Sequence, residues 1–565
     1  MSEFFVVTIT PAGVRDASLA IATARAGGIA VLDRELCDDS RLDQIDANLQ
    51  RLIDLAPADA IVGLRLHVSQ IPSSARLLER VQWIVLTGWE DSSQVSGLSS
   101  QGKLVLDIRD ASDASLAAAR KLRASAWIAR GSECGGWIGP DAAFILAQKL
   151  LAVADVPVYV QGGIGPATAA GCRAAGAAGV VLDDQLWLMP ESPLPSAWKK
   201  TLEDLDGQDA IPIGEEDKRC RVLVRPDLRG SQSANPKIGW DTPDEYAWPA
   251  GQAITFAAHL RDRFKTTGRL IQAIRESSRE HVASAAKLQP LGPDSPLAQS
   301  HGTRYPIVQG PMTRVSDSPA FAKAIAEAGG LPLLALALMS GEQARTLINE
   351  TRDAVGDRSW GVGILGFVPP DRRDEQLAAL IDAHPPFALI SGGRPDHAAH
   401  LEQHGIATYL HVPVPKLLPL FLEQGTRRFV FEGRECGGHV GPLSSFVLWE
   451  SMIDVLLRDV PAAQAEEIHV LFAGGIHDAR SAAIVAAIAA PLAERGMKVG
   501  VLMGSAYLFT NEAVACGAIG QEFQQQALRC TETVKLKTGP GHVVRCAPSP
   551  FIDHFESERR RMTKK

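Results

Sequence analysis

The sequence is most informative first in what it lacks. Its eight Cys are scattered, with no CxxC pair and no metal-like spacing. That excludes a disulfide framework and a zinc knuckle, and it points to reduced thiols in a cytoplasmic protein with no metal site. There is no basic excess: the net charge is −8, so nothing general favours nucleic acid or anionic lipid. There is no apolar run long enough to cross a bilayer. The best candidate, "SAAIVAAIAAPLAERG" (481–496), is too short and is interrupted by Pro491. The opening "MSEFFVVTITPAG" has no charged stretch followed by an apolar one, so no signal peptide is expected. The charged end "FESERRRMTKK" reads as a helix without a stop, and the chain is expected to be the front of a longer polypeptide.

What is present is a globular composition, 46% hydrophobic and 22% charged, over 565 residues, enough for two to four domains. The chain also repeats itself. "ARGSECGGWIGPDAAFILAQ" (129–148) returns as "FEGRECGGHVGPLSSFVLWE" (431–450), with Trp137 where the later copy has His439. "ASLAIATARAGGIAVL" (17–32) returns as "PAFAKAIAEAGGLPLL" (319–334). Gly28 to Gly135 spans 107 residues, and Gly330 to Gly437 spans the same 107. Each copy then gives a helix, a strand ending in Gly-Gly-Ile, a short helix and a last apolar strand.

Short Val/Ile/Leu strands alternate with Ala-rich helices, and continuous apolar strands imply a parallel sheet buried on both faces. In the second copy strands are expected near Ile307, Leu333, Trp360–Ile364, Phe387–Ile390, Thr408–His411, Phe429–Phe431, His469–Phe472 and Val499–Leu502. Eight strands with intervening helices predict a (β/α)8 barrel, an open doubly wound sheet being the alternative. The fold class expected is therefore α/β: two tandem TIM-barrel-like domains, 1–199 and 301–565, joined by a partly helical linking subdomain at 200–300. The first copy is compact, and a shortened or irregular helix ring is expected there.

The unusual residues of the second copy gather at the C-terminal ends of its strands, where barrel function resides. Gly474, Gly475 and Gly504 fit a phosphate site made of backbone N–H groups, with Ser505 as a hydroxyl donor. Tight turns alone are the other reading. Gly310 and the Gly437–Gly438 pair would let a flat ring lie against the backbone, so "GPM" and "GGH" together suggest a flavin. His439 follows a Gly pair in a loop after a strand. It reads as a proton donor or acceptor, or as a packing residue.

The order "PIVQGPM", "AEAGG", "EGRECGGHVG", "FAGGI", "MGSAYLF" resembles the nitronate monooxygenase (2-nitropropane dioxygenase) group of FMN barrels, which includes bacterial FMN-dependent enoyl reductases. "SHGTRYPIVQGPMTRVSD" and "TVKLKTGPGHVVRCAPSPF" (533–551) resemble, within that group, the enoyl reductase domains associated with polyketide and polyunsaturated fatty acid synthases. The resemblance covers about 300–550 strongly and 1–195 weakly. It implies FMN on the second barrel, with its phosphate on Gly474, Gly475, Gly504 and Ser505. Its ring would lie over Gly310, Pro311 and Met312 and near Glu432 and Gly433, with Ser391, His411, Gly437 and Gly438 also in contact. His439 matches the family's active-site His. His411 falls where relatives often carry Lys, and Gly363 where nitronate-oxidising members commonly carry Asn.

The implied activity is an enoyl reductase. NADPH or NADH would reduce FMN, a hydride would reach the β-carbon of an enoyl thioester on an acyl carrier protein, and His439 would protonate the α-carbon. Implied partners are the carrier protein, other synthase domains and a second copy in a homodimer. One rival is a nitronate monooxygenase-type flavin oxidase, with His439 as base. Another is a flavin-free structural or docking module. His542 reads as structural, though it could cap the pocket.

The first copy keeps the fold residues and loses the chemical ones. His439 aligns with Trp137. Gly504 and Ser505 align with Asp184 and Gln185, with Asp183 as a further acid, and these would repel a phosphate. "QGPM" becomes "TITPAG", placing a Pro at the ring-facing Gly. The first barrel is thus expected to be a degenerate copy without FMN, with Trp137 a candidate to fill the flavin space. Binding another ligand in a reshaped mouth is the alternative.

Overall fold

In a computed structural model, residues 3–563 are described except 15, 38–41, 91–94, 96–103, 215–218, 224–236, 240–245, 338 and 540–541. The chain divides into two compact units. One holds Met1–Ala286 with Trp449–Ser451 and Ala483–Ile488, and the other holds Lys287–Leu448, Met452–Ala482 and Ala489–Lys565.

Each unit contains a closed barrel of eight parallel strands. In the first they are Phe5–Ile9, Ile29–Asp33, Val62–His67, Trp83–Thr87, Leu104–Ile108, Ala126–Arg130, Val158–Gln161 and Gly179–Leu182. The first strand closes on the eighth through Val7↔Val181. In the second they are Ile307–Gln309, Leu331–Ala335, Gly361–Leu365, Phe387–Ser391, Ala407–His411, Arg428–Glu432, His469–Ala473 and Lys498–Met503, closed through Val308↔Leu502. All eight expected strands of the second copy are found in place. Their near-continuous burial is what a parallel sheet between an inner core and an outer helix ring requires.

The helices start where local chemistry dictates. Ser318 accepts the Phe321 N–H just before Pro319, and Ser340 and Asp478 each form a capping box with Gln343 and Ser481. At the bottom of the second barrel, His301 Nε2 lies 2.6 Å from the Tyr409 hydroxyl, which is 3.3 Å from His469 Nδ1. Burial, with Arg428 and Lys498 adding to it, lowers His301 to about 3 and His469 to about 2, so both are neutral near pH 7.

The repeat extends beyond the barrels. In the first unit Gly136–Trp137 pairs antiparallel with Cys220–Leu223, which pairs with Ala210–Ile213. In the second, Gly438–His439 pairs antiparallel with His542–Cys546, which pairs with Val534–Gly539. Even the side chains match: Arg221 Nε donates to Ser132 O at 2.6 Å, and Arg545 Nε donates to Arg434 O at 3.1 Å. The segment read as a separate link from residue 200 thus begins inside the first repeat. Its helical part is present as Ala257–Phe264 and Thr267–Leu288. Among the described residues no helix is long and apolar enough to cross a membrane.

Candidate active site

Strand register makes the two barrel mouths comparable position by position. At the C-terminal ends of its strands the second barrel presents Gly310, Ala335, Gly363, Ser391, His411, Glu432, Ala473 and Gly504. The same register positions in the first barrel hold Ile9, Asp33, Arg65, Thr87, Asp107, Arg130, Gln161 and Asp183. Two alignments made from sequence are corrected by this. Gly504 and Ser505 correspond to Asp183 and Asp184, not to Asp184 and Gln185. Gly504 and Asp183 each precede a short 3-10 turn with a similar backbone, φ −114°, ψ −85° and φ −143°, ψ −99°. Likewise Ile9, not a Pro, stands at the Gly310 position, and Pro11 falls at that of Met312.

The second mouth is small-lined and open. A Cβ on Gly438, whose φ is +80°, would meet nothing within 4 Å, and one on Gly504 would meet only Met312, at 3.7 Å. A Cβ on Gly437 would lie 2.8 Å from Ser505 Oγ, so the loop after strand six and the turn after strand eight converge there. Gly437, Gly438 and Ser505 are exposed. Gly310 donates its N–H to Met503 O at 2.8 Å, holding "GPM" beside strand eight. Gly363 is compelled by packing: a Cβ there would fall 2.3 Å from the Pro311 ring.

A hydrogen-bonding pair of this mouth lies on strands five and six. His411 Nδ1 is 2.8 Å from Glu432 Oε2 and 3.1 Å from Ser391 Oγ, while His411 Nε2 is buried without a partner. His439 enters from the short strand beside Val544. Its ring meets that of Phe367 edge-on, with centroids 4.9 Å apart. Pro311 and Met312 are half-buried beside these groups. The structure therefore assembles Gly310, Pro311, Met312, Gly437, Gly504 and Ser505 on one side and Ser391, His411 and Glu432 on another. His542 lies in the hairpin strand, and its side chain is outside the described residues.

Other glycines recur with the same geometry in both copies. Gly474 and Gly475 have φ +119° and +73°, and Gly162 and Gly163 have +125° and +65°. Gly433 is packed under Ser445, whose Oγ a Cβ would reach at 2.0 Å, as Gly131 is packed under Ala143. Sequence reasoning missed the reason for the repeated Glu-Cys-Gly-Gly. Glu435 accepts from the Ser445 N–H at 2.8 Å and hydroxyl at 2.6 Å, and Glu133 accepts from the Ala143 N–H at 3.0 Å. Each Glu thereby caps the helix that follows. The retention of Glu in both copies was the signal. Burial raises the Glu435 carboxyl against these donors.

The first mouth is filled. Arg65 makes a forked pair with Asp33 at 2.7 and 2.9 Å, and Arg130 Nη1 lies 2.8 Å from Glu35 and 3.2 Å from Asp107. These side chains are between 0% and 2% exposed. Asp184 accepts the Gly135 N–H at 3.0 Å and also that of Gly251, so its carboxyl occupies the space that Ser505 borders in the second barrel. Burial, then the neighbouring Asp183, pushes Asp184 well above the usual carboxyl range. Filling, rather than repulsion by two free acids, is what closes this place. Nor does Trp137 fill the ring space: it packs half-buried against Cys220 and Val222 of the hairpin.

Residues 370–562 match the nitronate monooxygenase family. The family is one of flavin-dependent oxidoreductases. The chain is 28% identical over 273 residues to the nitronate monooxygenase of Pseudomonas aeruginosa, covering 42% of this chain and 75% of that protein. It is 27% identical over 250 residues to a Rhodococcus jostii protein named (3aS,4S,5R,7aS)-5-hydroxy-7a-methyl-1-oxo-octahydro-1H-indene-4-carboxyl-CoA dehydrogenase, covering 44% of this chain. The match spans 64% of that relative's length. Among solved structures, FabK from Thermotoga maritima is 25% identical with a TM-score of 0.39, covering 46% of this chain and 76% of that one. The enoyl reductase domain of MlnA from Bacillus amyloliquefaciens is 15% identical with a TM-score of 0.35, covering 45% and 66%.

Proposed function

We propose that the second barrel is an FMN-dependent enoyl reductase acting on enoyl thioesters with NADPH or NADH, and that the first barrel is a cofactor-free copy. The observation that carries this is the open, glycine-lined mouth with His439 at its edge, set against a sister mouth filled by its own side chains.

The residues fit FMN. Gly504, Gly437 and Gly438 leave a cradle that Cβ atoms would narrow, with the Ser505 hydroxyl beside it, and His411 Nε2 is a buried polar atom awaiting a partner. Gly504, Ser505, Gly474 and Gly475 would hold the phosphate, and Gly310, Pro311, Met312, Ser391, His411 and Glu432 would surround the ring. When bound, FMN supplies two-electron hydride chemistry between the nicotinamide and the enoyl group. The chain's own part is to orient and to place a proton. Glu432 holds the His411 imidazole at Nδ1 and so directs Nε2 inward. His439 stands at the mouth as donor to the substrate α-carbon.

Two facts favour a thioester over a nitronate. Gly363 cannot take Asn without displacing Pro311, and a relative of this chain is named for a CoA thioester. The synthase-like segments around 300–317 and 533–551 support carriage of the acyl group on a carrier protein within a synthase, working as a homodimer. Relatives named nitronate monooxygenase favour the competing reading, a flavin oxidase in which His439 takes a proton.

The test is anaerobic titration of the purified protein with NADPH and NADH, followed by a crotonyl thioester. Bleaching of the visible flavin spectrum and its return on adding the thioester is expected. A spectrum unmoved by nicotinamide, with oxygen uptake on a nitronate, would select the oxidase.

A further inference from the structure

The loop after the second barrel's third strand carries a side chain that the chemistry above does not use. Strand Gly361–Leu365 passes through Gly366 to Phe367 and then to Val368–Pro369–Pro370. The Gly366 N–H donates to Ser391 O at 2.8 Å, which ties the loop to strand four. Gly392, at φ +66°, makes room for the ring: a Cβ there would fall 2.7 Å from Phe367 Cδ1. Pro369, at φ −49°, and Pro370 restrict the exit, and Pro370 opens the helix Pro370–Ala383. Phe367 is thus fixed from both sides, yet it stays 42% exposed. A single exposed Phe needs no explanation. This one meets His439 at 4.9 Å between centroids and 63° between planes.

The internal repeat sharpens the point. In the first barrel the register equates His67 with Leu365, and the 3-10 turn that follows, Val68–Gln70, carries no aromatic side chain. Trp137 stands there in place of His439. The aromatic and the imidazole are present together in one copy and absent together in the other.

We propose that Phe367 is the positioning residue for His439 and the apolar wall on which the acyl part of the substrate lies. This rests on reading His439 as the proton donor. An edge-on aromatic contact favours one rotation of the imidazole, and the exposed remainder of the ring offers apolar surface at the mouth along which a long acyl chain can lie.

The test uses FMN-loaded wild type, Phe367→Ala and Phe367→Tyr. Carbethoxylation of His439 by diethyl pyrocarbonate is followed by peptide mass, alongside kcat and KM for short and long enoyl thioesters. With Ala, His439 is expected to react several-fold faster, kcat to fall roughly 10- to 100-fold, and KM to rise more for the long thioester than for the short one. Tyr is expected to restore all three. Unchanged carbethoxylation and kcat in the Ala protein at full FMN content would overturn the proposal. So would loss of FMN from that protein, because Phe367 would then serve the cofactor. If the wild type reduces no enoyl thioester, the proposed function fails. The carbethoxylation rates still decide whether Phe367 positions His439.

Discussion

The turn after strand eight shows what separates the two halves of this molecule. In the first barrel every residue from 181 to 189 is buried, while in the second none of the corresponding residues 502–510 is. The strands, the helix-capping Glu, the Gly pair after strand seven and the antiparallel hairpin are common to both. The difference lies in one layer of side chains at the strand ends. Ile, Asp, Arg, Thr, Gln and Asp in the first give way to Gly, Ala, Gly, Ser, Ala and Gly in the second. A barrel mouth can therefore be emptied or filled without disturbing the scaffold, because strand-end side chains are not what closes the sheet. The pair on strands five and six makes the same point: Asp107–Arg130 in the filled mouth becomes His411–Glu432 in the open one.

The largest test of this contrast removes a filler. Arg130→Met leaves Glu35 and Asp107 buried without their nearest cation. The first unit is expected to lose about 3–5 kcal/mol in urea unfolding, with the flavin spectrum unchanged. Transplanting the acids comes next. Gly504→Asp with Ser505→Asp should weaken FMN binding by roughly 100-fold or more, read by fluorescence titration. Tight binding in that variant would mean that the acids are not what keeps the first barrel empty.

Acid should separate the halves as well. His301 and His469 are held below their unfolded value of 6.5, so the unfolded chain takes up protons that the native second unit refuses. The stability they confer is present above pH 6.5 and drains as pH falls below it, by about 3 kcal/mol between pH 7.5 and 5.5. In the first unit, burial pushes Glu35 upward, but Arg130, Arg65 and Arg109 together outweigh it and hold the carboxyl down to about 2. Its contribution is present above about 4.5 and lost toward pH 2. Unfolding curves across pH should thus show the second unit weakening first, with the difference between wild type and Glu35→Gln shrinking only below pH 4.5. The smallest effect tests what is shared: Glu133→Ala and Glu435→Ala should each cost about 1 kcal/mol in their own unit.

Much of this was legible from residues. The apolar strands, the 107-residue spacing and the Gly-rich strand ends predict two barrels with chemistry at one mouth. The hairpin repeat was not legible. "KRCRVLV" and "GHVVRCA" share little beyond Arg221 and Arg545, and their likeness is one of backbone pairing. Nor could Phe367 be singled out, since its partner His439 is 72 residues away.

The sequence by itself determined the duplicated parallel barrels, through periodicity and glycine placement, because those are local properties of the chain. It also determined that Trp137 had replaced His439. Only the tertiary structure decided how the first mouth is closed. Asp33, Arg65, Asp107 and Arg130 come from four separate strands, and Asp184 reaches Gly135 across the barrel rim. Charges so far apart in sequence read as ordinary surface residues until closure of the barrel removes them from water, where only mutual pairing makes their burial tolerable.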